Sequence, residues 1–99
     1  MKIIYVHKLS IEEAHERLNK LLINMQKEHA DMIRNPKIEW DATKTHMKFS
    51  VEISIFSIDG YMHLQEQEVV IEGNIPLILK GYSNKIEDII KAELIKLLS

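Results

Sequence analysis

Met47, Phe49, Val51, Ile53 and Ile55 alternate with His46, Lys48, Ser50, Glu52 and Ser54. A period of two predicts a strand with one face on a core and the other toward solvent or another surface. Asp59-Gly60 follows, a pair suited to a tight hairpin, and a two-residue loop there would set Ile55 opposite Leu64 on the buried face. The return strand then runs from Tyr61 to about Gln65. After the polar turn Gln65-Glu66-Gln67-Glu68, the residues Val69, Ile71 and Ile75 continue the meander. Upstream, Ile38 and Trp40 alternate with Lys37, Glu39 and Asp41, which predicts a short strand closed by the turn Asp41-Ala42-Thr43-Lys44.

The periodicity changes in two places. Lys2 to Leu9 reads as a first strand, and Ser10-Ile11-Glu12-Glu13 then forms a capping box that opens a helix. Along it Ile11, Ala14, Leu18, Leu21, Leu22, Met25 and His29 recur at three- and four-residue spacing, a narrow apolar stripe that buries one face. Glu13 with Arg17 and Glu16 with Lys20 stand four apart on the solvated side. Asn35-Pro36 is expected to end the segment, with fraying from about Glu28. Near the other end, Pro76, Gly81 and the cap candidates Ser83 and Asn84, with Glu87 as return partner, lead into a last helix. Its residues Ile86, Ile89, Ile90, Leu94, Leu97 and Leu98 cover about half the circumference at about 100° per residue. An arc that wide predicts a sheet curved around this helix. The fold class is therefore α+β, an antiparallel sheet built as strand, helix, meander and C-terminal helix, in one domain spanning residues 1–99.

Composition narrows the functional classes. Hydrophobic residues at 45% and charged residues at 28% match an ordinary folded, soluble domain. Thirteen basic against fifteen acidic residues leave a formal charge of −2, so no global field favours nucleic acid. Without cysteine the chain has no disulfides and no thiolate metal sites, which fits a cytoplasmic location. Ile3-Ile4-Tyr5-Val6 is too short for a signal-peptide core or a membrane span.

Candidate chemistry is sparse. The three glycines form no phosphate-binding loop, and no nucleophile has an evident His and acid pairing, so the chain is read as not an enzyme, with no cofactor. His15 and His29 lie about 20 Å apart along a helix and cannot share an ion. His46 and His63 sit on strands that could bring them together, but without an HxH or HExxH spacing the five histidines are read as surface residues and no metal is expected. Glu93 stands out, because it projects into the apolar arc of the last helix, where an unpaired charge is costly. It either reaches water or a lysine at a rim or anchors a ligand in an apolar cavity. Glu93, Trp40 and Tyr61 are accordingly the candidate ligand-binding residues, although Trp40 and Tyr61 also read as core or edge aromatics.

The string Val6-His7-Lys8-Leu9-Ser10-Ile11-Glu12-Glu13-Ala14, then Ile38-Glu39-Trp40, the Met47 to Phe49 strand, Asp59-Gly60 and Leu77 to Tyr82 together resemble the polyhydroxyalkanoic acid system proteins, the polyhydroxyalkanoate granule region family. The chain departs from that pattern after Trp40, where Asp41-Ala42-Thr43-Lys44 replaces a shorter, glycine-bearing link. The resemblance implies association with the making and storage of polyester, by a non-enzymatic accessory protein that meets a granule or a granule protein. It brings no established catalytic residues. The element order also looks like a reduced helix-grip fold, as in START-like proteins, which implies as the alternative a binder of a small apolar molecule. A homodimer is expected, joined through an open sheet edge or the outer side of the first helix.

Overall fold

A computed structural model describes all 99 residues. Strand β1 (Lys2–Val6) leads into helices α1 (Ile11–Leu18) and α2 (Leu21–Glu28). Strands β2 (Ile33–Trp40), β3 (His46–Ile53), β4 (Phe56–Leu64) and β5 (Glu68–Asn74) follow, and a 3-10 turn (Leu77–Tyr82) opens into α3 (Ser83–Leu98). The strands form one open antiparallel sheet in the order β1-β5-β4-β3-β2. The α+β fold expected from the periodicities is thus the one observed.

All three helices pack on one face of this sheet, with α2 against β2 and α3, and α3 against β1. The inward residues Met47, Phe49, Val51 and Ile53 of β3 and Ile58, Met62 and Leu64 of β4 meet Leu18, Leu22, Met25, Ile86, Ile90 and Leu94 in one apolar core. Burial of this size dominates the stability of a small domain, at roughly 25 cal/mol per Å² of apolar surface.

Four local expectations are corrected. The hairpin between β3 and β4 turns at Ser54-Ile55, not at Asp59-Gly60, so that Ile53 faces Phe56 and Ile55 is 88% exposed. Ser54 takes the positive φ of 58°, and the Arg34 guanidinium donates to its carbonyl. Gly60 lies mid-strand opposite Phe49, and a Cβ there would stand 2.8 Å from Phe49 Cε1, so the glycine serves close packing.

Asn35-Pro36 does not end a helix but sits inside β2 as a bulge, because Arg34 pairs with Glu52 and Lys37 with Ser50. Asn35, at φ 50°, donates to Glu52 Oε2 at 2.6 Å, and the proline needs no ladder hydrogen at the sheet edge.

The first helix is two. Asn19 and Lys20 keep right-handed backbone angles, but Lys20 N donates to Arg17 O, a tightened turn that redirects the chain. Ser10 caps α1 by accepting from Glu13 N at 3.2 Å. Glu13 pairs with Arg17 at 2.7 Å instead of returning to Ser10, and the kink leaves Glu16 and Lys20 outside ion-pair distance. Finally, neither Ser83 nor Asn84 caps α3, because the 3-10 turn runs directly into it with Ser83 N on Lys80 O.

Candidate functional site

Glu93 is carried on the buried side of α3, between Ile90 and Leu94. Its side chain is 3% exposed and Oε1 has no hydrogen-bond partner. Across the helix interface stand Asn24 and Glu28 of α2, and Glu28 in turn holds Lys96 Nζ at 3.1 and 3.2 Å. Desolvation first, and the Glu28 charge second, push the Glu93 carboxyl above its ordinary range, while Lys96 and Asn24 pull the other way. The hydrogen bond to Glu28, and then its charge, raise the pKa of Lys96. The cluster is thus an exposed ion pair over a buried carboxyl that retains its proton more readily than a free one.

Trp40 ends β2 and donates through Nε1 to Asn19 Oδ1 at 2.6 Å, with its ring 4.4 Å from that of His15. It ties the end of a sheet edge to the kink between α1 and α2. Tyr61 is 60% exposed at the middle of the face that no helix covers. Trp40 and Tyr61 both line a broad trough of about 820 Å³ over that face, together with His46, His63, Lys48 and Glu72. Glu93 lies elsewhere, so the three candidate residues do not converge.

No polar group reaches the apolar space around α3. A void of about 30 Å³ is lined by Met1, Phe49, Ile86, Ile89, Ile90 and other apolar side chains, and Glu93 does not reach it. That volume is on the scale of one or two waters, whereas small-molecule pockets run to roughly 300 Å³ and more.

The meander does bring His46 and His63 together. They are cross-strand partners whose rings stack at 4.1 Å and 18°. His46 Nδ1 lies 3.3 Å from Asp41 Oδ2, and His63 Nδ1 lies 3.4 Å from Gln65 Nε2. Asp41 organises the loop before β3, accepting from Thr43 Oγ1 at 2.8 Å and from the Thr45 and His46 amides at 3.3 Å. The Thr43 hydrogen bond leads the causes that hold its carboxyl below the usual value.

His7, read from the sequence as one of five surface histidines, is instead buried, because the backbone groups of Gln65 and Leu9 satisfy both ring nitrogens. It is 4% exposed; Nε2 donates to Gln65 O at 2.8 Å and Nδ1 accepts from Leu9 N at 3.2 Å, which defines one neutral tautomer. The available signal is parity, since His7 shares the inward side of β1 with Ile3 and Tyr5.

No helix is long and apolar enough to cross a membrane. Compared with known families, residues 1–98 match the model of the polyhydroxyalkanoic acid system proteins, a provisional description. No curated protein and no solved structure matches.

Proposed function

Because the chain belongs to the polyhydroxyalkanoic acid system family, we propose that it is a non-enzymatic accessory protein of polyester storage, acting in the cytoplasm by binding at the granule or to a granule protein. The family match over residues 1–98 carries this reading. The engagement of its most chemical side chains supports the non-enzymatic part. Both ring nitrogens of His7 bond to backbone groups, the Trp40 indole is spent on Asn19, and the Ser10 hydroxyl caps α1. Tyr61 and the uncovered face around it supply the surface for a partner, and the chain acts as a homodimer.

The test is localisation in cells that accumulate polyester. A fluorescent fusion concentrates at the inclusions, and a fusion that stays diffuse in cells full of them refutes the proposal. A broad esterase and thioesterase screen stays at background, and turnover there would replace the accessory role with an enzymatic one. The apolar-ligand alternative needs the 30 Å³ void to open about tenfold.

A further inference from the structure

The uncovered face of the sheet carries an ordered row of charge. Strand pairing sets Lys2 beside Glu72, Glu72 beside Tyr61, Tyr61 beside Lys48 and Lys48 beside Glu39. Directly opposed residues of antiparallel strands point to the same side, so these five exposed side chains cross the face from one edge to the other. The order is plus, minus, tyrosine, plus, minus, with Tyr61 on β4, the middle strand of five. Within the chain this row is weakly satisfied. Lys2 and Glu72 stand 3.8 Å apart with both side chains largely exposed, and Lys48 and Glu39 make no ion pair.

A row of this order is its own complement under one rotation. We infer that the uncovered sheet faces of two copies pack against each other about a twofold axis that runs parallel to the strands and passes over Tyr61. That axis reverses the row, so Lys2 meets the partner's Glu39, Glu72 meets the partner's Lys48, and Tyr61 meets the partner's Tyr61. A twofold axis along the row would instead set each charge against its own copy. The charge order therefore selects one of two ways to stack aligned sheets, which pack at about 10 Å with strands within about 30°. The central tyrosine pair supplies aromatic contact. Beside it, Val70 meets the partner's His46, and His63 meets the partner's His63. One like-charged meeting remains, Asp59 with the partner's Asp59, one row toward the hairpin.

The geometry of the edges favours the face over the edge. The β2 edge is interrupted by the Asn35-Pro36 bulge, a usual guard against strand addition, and the β1 edge offers five residues. Five strands at about 4.8 Å spacing give a face about 20 Å wide, small for a specific interface, so the dissociation constant is expected in the micromolar range.

This inference rests on the proposal that the chain self-associates, and sedimentation equilibrium separates the two. The wild-type chain forms a species of twice 11.6 kDa. Lys48→Glu and Glu72→Lys, each checked for folding by circular dichroism, weaken it at least tenfold, because each sets two pairs of like charges face to face. An equimolar mixture of the two variants restores the dimer, since every charged pair along the row is then opposite in sign. Asp59→Asn, which leaves the row untouched, tightens it. A wild-type chain that stays monomeric at high micromolar concentration overturns self-association altogether. A dimer indifferent to both charge reversals, or a mixture that does not recover, overturns this face and leaves an edge dimer.

Discussion

Replacing Glu93 by leucine should make the protein more stable at neutral pH. The carboxyl is 3% exposed with Oε1 unpartnered, and a buried polar atom left without a partner costs about 1–3 kcal/mol. Leucine removes that cost and adds apolar burial between Ile90 and Leu94, against a shape mismatch that costs under about 1.5 kcal/mol. The exposed Glu28–Lys96 pair survives the change. The expected gain is about 1–2 kcal/mol, or roughly 4–8 °C in Tm per kcal/mol for a domain of this size. The pH dependence follows from the raised pKa of Glu93. Between the unfolded and folded pKa values the native state binds the extra proton, so the Glu93 contribution to wild-type stability is greatest below the ordinary carboxyl range and falls as pH rises through the folded pKa. The advantage of leucine therefore shrinks on acidification toward that range. Urea unfolding followed by circular dichroism at several pH values, at one fixed chain concentration, measures both effects. A loss of more than about 1 kcal/mol at neutral pH would refute the reasoning and mark Glu93 as a paired structural residue.

The two informative glycines should respond in opposite directions. Gly60→Ala drives a Cβ into the Phe49 ring and the Glu72 carbonyl and should cost about 2 kcal/mol in thermal melts, part of it recovered with Phe49→Leu. Gly81→Ala meets open space without a positive φ and should gain about 0.4–1 kcal/mol in the same assay. Trp40→Phe keeps the ring but forfeits the bond to Asn19, and should cost about 1 kcal/mol by far-ultraviolet circular dichroism. An unchanged midpoint would show that the kink between α1 and α2 is held by other contacts.

The clearest signals in the sequence were periodic ones. The alternation of β3 and the wide arc of α3 each reflect a single burial pattern, and Glu93 was visible because it interrupts one of them. Ser10 worked as a cap because its hydroxyl has only the first-turn amides to serve. Turn residues were less legible, since each serves more than one purpose. Asp59-Gly60 could have supplied a hairpin, but the glycine is needed where Phe49 crosses β4, and Ser54-Ile55 takes the turn. Asn35-Pro36 ends a helix or bulges an edge strand depending on whether Glu52 is there to receive the asparagine amide. Both outcomes depend on residues across the sheet, which no local window contains. The charge row around Tyr61 is legible only after the register is known, because its five members are scattered from Lys2 to Glu72.

The placement of β1 has a consequence for how the chain reaches its fold. β2 to β5 each pair with a sequence neighbour, but β1 pairs with β5, and Lys2 waits for Glu72. Arg17 likewise completes its contacts only when Leu97 O arrives, at 3.0 Å. During synthesis, which delivers the N-terminal end first, Ile3, Ile4, Tyr5 and Val6 emerge as an apolar strand with no template. The meander can assemble from short loop closures, while docking of β1 must close a loop of most of the chain. Docking of β1 is therefore expected to come late in folding, and until it happens β5 presents an unpaired edge to whatever is nearby.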